Sequence, residues 1–433
     1  MTPEIEKRIK AVRAGRIPAG YKRTKVGIVP KEWDELKLSH YLSVSKEKNT
    51  ELKYSKEDVF SISGELGIVN QIELLGRSYA GVSVAPYGVV KPNDVVYTKS
   101  PLKANPYGII KTNKTGKTGI VSTLYAIFNC KNNVNPVFVQ YYFESDKNLN
   151  DYLHPIVNIG AKHDMKISDE NSLNGVVVFP PLSEQKKIAD ILATQDRVIE
   201  LKEKLITEKQ SQKKYLMSVL LGDDFKKPFK LNGVTIDKKK WEKKKIGDVC
   251  DNYTGLTYAP ENVSSKGVLV LRSSNIQNGK LCFDDNVYVD MEIPIRSKVK
   301  IGDILVCVRN GSRSLIGKSA IITKEAECAA FGAFMTVLRS KNVNQLFLFY
   351  IWQSNNIQKQ IKVLMGALIN QITSFDIQHL HFSCPTLPEQ KVIADVLSAA
   401  DEEISLLQKS LEQEKLKKKS LMQLLLTGLV RVQ

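Results

Sequence analysis

The chain has 433 residues, too many for one hydrophobic core, and its 42% hydrophobic and 25% charged content excludes a disordered tail. Lys and Arg outnumber Asp and Glu by 63 to 46, a formal charge of +17, so polyanions are the leading partner class, with nucleic acid first among them. No run approaches the ~20 apolar residues of a membrane span. The N-terminus shows no apolar signal core, and the six cysteines stand singly without a C-x-x-C pair, so the expectation is a cytoplasmic protein without zinc or membrane anchor.

In chain order, residues 1–32 read as an N-terminal extension, with a short charged helix over Met1–Val12 and a turn-rich Ala14–Gly20. Residues 33–179 mix β-rich runs at Gly88–Lys91, Asp94–Thr98 and Gly119–Phe128 with a helix at Pro136–Phe143, which predicts an α+β domain. Residues 180–222 predict a long helix. Residues 223–384 predict a second α+β domain, approached through nine lysines between Lys226 and Lys245, and residues 385–433 predict a second long helix.

The two helices are copies. Pro180-Pro-Leu-Ser-Glu-Gln-Lys-Lys-Ile-Ala-Asp-Ile-Leu192 returns about 205 residues later as Pro385-Thr-Leu-Pro-Glu-Gln-Lys-Val-Ile-Ala-Asp-Val-Leu397, followed by matches of Asp196 with Asp401, Ile199 with Ile404, Lys213-Lys214 with Lys418-Lys419 and Leu216-Met217 with Leu421-Met422. Thr386 and Glu389 fit a capping box, and Gly428 closes the second copy. Apolar residues three and four apart form a narrow stripe, and a helix of ~35 residues, ~50 Å long, needs a long partner to cover it. The other copy is the nearest candidate. The domains repeat only landmarks: Trp33 and Leu38 are echoed by Trp241 and Ile246, and Lys91-Pro-Asn-Asp-Val by Lys300-Ile-Gly-Asp-Ile. Copied spacers with diverged domains suggest a common job for the helices and a different target for each domain.

Several motifs carry possible chemistry. Gly311-Ser-Arg-Ser-Leu-Ile-Gly-Lys-Ser319 has five residues between its glycines where a phosphate loop needs four, so it reads better as a turn offering Arg309, Asn310, Ser312, Arg313 and Lys318 to DNA, or as a solvated loop. Lys111-Thr-Asn-Lys-Thr-Gly-Lys-Thr118 is a second basic loop whose Lys111, Lys114 and Lys117 could hold phosphates. Arg272 and Asn275, at a strand end, offer Arg for guanine and Asn for adenine. Arg77, Lys99, Lys162 and His163 are the first domain's candidates, and Asn370 and Gln371 complete the second's. Glu184-Gln-Lys and Glu389-Gln-Lys spell a nuclease-like E-x-K, but they open helices and lack an acidic strand partner. His379 and His381 alternate on an expected strand without metal-ligand spacing.

The paired Pro-x-Leu-x-Glu-Gln-Lys-x-Ile-Ala-Asp leaders, the Leu-Met closings and Gly27-Ile-Val-Pro-Lys-Glu-Trp33 resemble the specificity subunit of type I restriction-modification systems, over nearly the whole chain. The resemblance implies two α+β target recognition domains, each reading half of a bipartite site in double-stranded DNA, joined by two long antiparallel helices in a coiled coil with pseudo-two-fold duplication. It implies that the helices set the spacing and dock two methyltransferase subunits, with restriction subunits joining outside them in a host-defence complex. Glu184, Gln185, Ile188, Leu192, Ile199 and Leu216, with Glu389, Gln390, Ile393, Leu397, Ile404 and Leu421, are then spacer and subunit-docking residues. It implies no cofactor in this chain: S-adenosylmethionine, ATP and Mg²⁺ serve adenine methylation and ATP-dependent cleavage in other subunits. Two readings compete with it, a self-sufficient nuclease using the E-x-K positions and a scaffold that binds nucleic acid without sequence choice.

Overall fold

The computed structural model describes residues 2–102, 105–157, 165, 167–222, 227–365 and 370–432. They fall into two compact units, Met1–Lys202 with Ser410–Gln433, and Glu203–Lys409.

Each unit is built on a four-stranded antiparallel sheet. In the first, β1 (Leu42–Val44), β2 (Val95–Thr98), β3 (Ile109–Thr112) and β4 (Tyr125–Cys130) lie in the order β1-β4-β2-β3, and α1 (Pro136–Glu144) follows. The long helix α2 (Leu182–Leu221) comes next and is 40 residues long. In the second unit β5 (Cys250–Thr254), β6 (Ile304–Cys307), β7 (Ser319–Ile321) and β8 (Met335–Ser340) take the order β5-β8-β6-β7, and α3 (Gln345–Gln353) follows. The strand order is the same, although the sequences share little. The run expected over Gly119–Phe128 is two strands, since Gly119–Val121 pairs with Gly88–Val90 before the chain turns into β4.

Local chemistry explains the common frame. Asp94 and Asp303 each accept the backbone N–H of the lysine three residues earlier, at 2.7 Å, which fixes the turn into β2 and β6. The residue before each aspartate has positive φ, +71° at Asn93 and +88° at Gly302, a conformation that Asn and Gly tolerate best. Asn135 and Asn344 cap α1 and α3 by accepting the N–H of Phe138 and Phe347, whose rings are fully buried. A hairpin precedes each landmark tryptophan: Tyr21–Thr24 with Gly27–Pro30, and Phe229–Leu231 with Val234–Ile236. Part of the expected N-terminal extension thus has a structural twin in the lysine-rich lead-in.

The second long helix, α4 (Leu387–Leu425), has 39 residues. Its N-terminus carries half of the expected capping box: Thr386 donates its N–H and hydroxyl to Glu389 Oε2 at 2.9 and 2.8 Å. Gly428 closes the segment at φ +66°. Each long helix contributes its leader to one unit and its tail to the other. In the first unit Gln195 donates to Glu414 at 2.8 Å and Lys202 pairs with Glu414 at 3.2 Å; in the second, Lys209 pairs with Glu403 and Lys213 with Asp401, both at 2.6 Å. Rising numbers on α2 meet falling numbers on α4, so the helices run antiparallel.

The apolar stripe is not covered chiefly by the other helix, as its periodicity suggests. Ile188 and Leu192 lie fully buried with Trp33, Phe138 and Phe179 in the first core, and Ile393 and Leu397 with Ile246, Phe347 and Trp352 in the second. The leaders face their own domain, and the tails reach a core too, Leu421 in the first unit and Leu216 in the second. Leu205 of α2, an apolar residue at helical spacing from Ile188 and Leu192, stands 38% exposed. His379 ends a short helix and His381 opens a strand, so the expected alternation of the two on one strand is corrected.

Candidate nucleic-acid interface

The copied Glu-Gln pairs are fasteners within each unit. Glu184 is 4% exposed and accepts Trp33 Nε1 at 3.1 Å and two Arg431 nitrogens at 2.7 and 2.9 Å. Glu389 accepts Trp241 Nε1 and the Asp237 N–H, both at 3.1 Å. Burial pushes the Glu389 carboxyl up, but hydrogen bonds from Thr386, Trp241 and Asp237 overrule it and hold it below the ordinary carboxylate value. Gln185 accepts the Asn135 N–H and Gln390 the Asn344 N–H, both at 2.8 Å, while their amides donate to the Pro180 and Pro385 carbonyls. These four side chains are buried and engaged within their own unit, where they fix each helix to its domain.

The recurring aspartates and lysines form a second fastener. In the first unit Asp196 of α2 accepts the Tyr141 hydroxyl at 2.6 Å and pairs with Lys418 of α4 at 2.7 Å. In the second the helices exchange roles: Asp401 of α4 accepts the Tyr350 hydroxyl at 2.9 Å and pairs with Lys213 of α2 at 2.6 Å. Ile199 and Ile404, also matched, are half-buried and buried. The matched positions are visible in the sequence, but their pairing across helices is not.

In the second unit several DNA-reading candidates, far apart in sequence, converge. Asn310 donates to Ser273 Oγ at 3.1 Å, Arg313 Nε donates to Asn370 at 3.0 Å, Asn370 donates to the Gly311 carbonyl at 3.1 Å, and the backbones of Arg309 and Gln371 pair in an antiparallel bridge. Arg309 also stands over the Phe334 ring, 5.1 Å from its centroid. Phe334 is 55% exposed and escaped the sequence reading, since a lone Phe carries no signal there. It borders a cleft of about 590 Å³ with Tyr258, Arg272, Ser274 and Asp285. Arg272 is anchored on Asp285 at 2.8 Å, and its Nε and the Ser274 hydroxyl are buried without a hydrogen-bond partner among the described residues. Ser312 is exposed and Lys318 half-buried on the same loop. Asn275 is excluded: it is fully buried and donates to Cys282, Asp285 and Asn286, so its amide shapes the loop and reads no base.

The first unit's candidates are more scattered. Arg77 is exposed and stacks over Tyr79, 4.6 Å from the ring centroid, and Lys117 is exposed 3.9 Å from Glu73. Lys99 is held by Asp169 at 2.5 Å. Lys111 is only 6% exposed and Lys114 stands over the Tyr141 ring at 4.4 Å, so Lys111 is corrected from a duplex contact to an interior group. Lys162 and His163 lie outside the described residues.

The fold and the fasteners define a class: two-unit chains in which two α+β domains of one strand order are each fastened to a pair of long helices. A family model described as the type I restriction modification DNA specificity domain matches residues 238–416. The MjaVIII type I restriction enzyme specificity subunit of Methanocaldococcus jannaschii is 30% identical over 332 residues, which cover 73% of this chain and 76% of that protein. The chain belongs to the type I restriction enzyme specificity subunits. Two solved structures share the fold at 14% identity. A chain from a study of complex assembly and conformational transition in a type I restriction-modification system gives a TM-score of 0.57 over 93% of this chain and 99% of that one. The type I specificity subunit from M. genitalium gives 0.53 over 91% and 96%. Among the described residues no helix is long and apolar enough to cross a membrane.

Proposed function

We propose that this chain selects the DNA sequence for a type I restriction-modification complex and does no chemistry itself. Each unit reads one half of a bipartite site, and the paired helices set the spacing and dock two methyltransferase subunits. S-adenosylmethionine, ATP and Mg²⁺ belong to the partner subunits. The observation that carries this reading is the convergence of Arg272, Arg309, Asn310, Asn370 and Gln371 beside a cleft bordered by exposed Phe334, in a chain of this family. Arginine donors and side-chain amides are the groups that discriminate guanine and adenine edges.

The nuclease alternative needs a free carboxylate at Glu184 or Glu389, and both are occupied by Trp33 with Arg431 and by Trp241 with Thr386. The test is co-expression with the neighbouring methyltransferase subunit and mapping of methylated bases. One bipartite motif with a fixed gap supports the reading, and its weakening in one half-site by Arg309→Ala assigns the second unit. Unchanged methylation with no bound methyltransferase refutes it.

A further inference from the structure

We propose that the first unit holds a small oxyanion of the phosphate class in a cavity of about 430 Å³ floored by Lys111 and flanked by Lys114 and Lys418. Lys111 projects from β3 and is 6% exposed, yet it makes no hydrogen bond or ion pair with the described residues. The carboxylates nearby are already engaged. Glu144 and Asp196 both close on Lys418, at 2.6 and 2.7 Å, and Asp196 also takes the Tyr141 hydroxyl. Lys114 is exposed, rests on the Tyr141 ring and has no ion pair among the described residues either. At Lys111, a buried ammonium with no carboxylate in contact is among the costlier things a fold can keep. Desolvation drives both amines toward the neutral form; Glu144 and Asp146 oppose it at Lys111, Asp196 and Glu144 oppose it at Lys114, and Lys418 adds to it at both. A bound anion would reverse that. Glu65, exposed on the Gly64–Gly67 turn at the rim, works against an anion and favours a small, singly or partly protonated one.

The second unit shows that the fold does not require this lysine. Strand pairing sets Val96 opposite Lys111 in β2–β3 and Leu305 opposite Ala320 in β6–β7, with Thr112 and Ile321 each one step further on. The position of Lys111 is therefore taken by fully buried Ala320, and the frame set by Asn135 and Asn344 puts Phe349 at Gln140 and Gln353 at Glu144. Two of the cavity's polar groups, Lys111 and Gln140, thus have apolar counterparts in the second unit, while Asp401 and Lys213 repeat Asp196 and Lys418. Duplex phosphates, which ride on the outside of a wide rod, need exposed ammonium groups. A group as deep as Lys111 suits a free phosphate or the phosphate of a mononucleotide.

The test uses the full chain at constant ionic strength. Thermal unfolding is followed against inorganic phosphate, a nucleoside monophosphate and chloride, and Lys111 acylation by an amine reagent is measured by mass spectrometry with each anion. The expected result is a saturable rise in Tm with phosphate or nucleotide but not chloride, and at least tenfold slower acylation of Lys111. The rise is lost in Lys111→Met and Lys114→Met and kept in Lys147→Met, an exposed surface position. A greater potency of the nucleotide identifies it as the source, and equal or lower potency identifies free phosphate. Should Lys111→Met not fold, Lys114→Met and the acylation of unaltered chain decide. Absence of saturation and of protection, an equal shift in both lysine variants, or protection by duplex DNA alone overturns the proposal.

Discussion

The two Tyr-Asp-Lys fasteners make an asymmetric prediction. Asp401→Asn removes the carboxylate that holds Lys213 at 2.6 Å and leaves that ammonium, 17% exposed, with no second carboxylate in contact among the described residues. A charge-assisted hydrogen bond contributes about 1.5–3 kcal/mol. Since the Asp401 side chain is 31% exposed, solvent screening reduces this to about 1–2 kcal/mol. Asp196→Asn makes the same change in the first unit, but Lys418 keeps Glu144 at 2.6 Å, so the cost falls to about 0.5–1 kcal/mol. A loss of 1 kcal/mol in a unit of this size lowers its Tm by roughly 2–4 °C. Hydrogen exchange of the helix peptides in graded urea reports each unit separately, which a single unfolding transition of a two-unit chain would not. A double-mutant cycle with Lys213→Met should recover most of the Asp401→Asn cost as coupling. Equal costs in the two units, or a coupling within error of zero, would refute the account of the seam.

Three further outcomes follow from the geometry. Glu184→Gln should cost about 1–3 kcal/mol, because it removes the carboxylate that takes two Arg431 nitrogens while Arg431 keeps only the more exposed Glu32, whereas Glu389→Gln, whose partners are neutral, should cost about 1 kcal/mol or less; urea unfolding of both variants checks the order. Because the folded Glu389 carboxyl lies below its unfolded value, its stabilisation is present above the unfolded pKa of about 4.3 and is lost as pH falls through the folded one. The stability of Glu389→Gln should therefore fall less steeply on acidification than that of the unaltered chain, as titration of the Tm will show. Inserting one helical turn into each of α2 and α4 should move the preferred half-site gap by one or two base pairs, since a turn adds ~5.4 Å. A methylation map with the original gap would refute the spacer role.

The helices, their copied leaders and the two-domain plan were legible because periodicity, capping and self-similarity are local properties. Trp33 and Trp241 stood out as landmarks, and the reason is the same in each unit: an indole donor on a buried glutamate. Candidate readers were less legible. Asn275 carries the right amide for adenine, yet its loop turns it inward, and Lys111 looked like a phosphate contact until its strand register buried it. Phe334 had no local signal at all.

By itself the sequence determined that the chain is a duplication of domain and helix, that its surface favours polyanions, and which residues recur in both halves. These follow from pattern and composition, which one strand of text records. Only the tertiary structure decided that Asp196 meets Lys418 and Asp401 meets Lys213, that the leaders bury their stripe in their own domains, and that the diverged domains share one strand order. The physical reason is that burial and pairing are properties of what lies opposite a residue, and the partner can lie 247 residues away along the chain, as Arg431 does from Glu184.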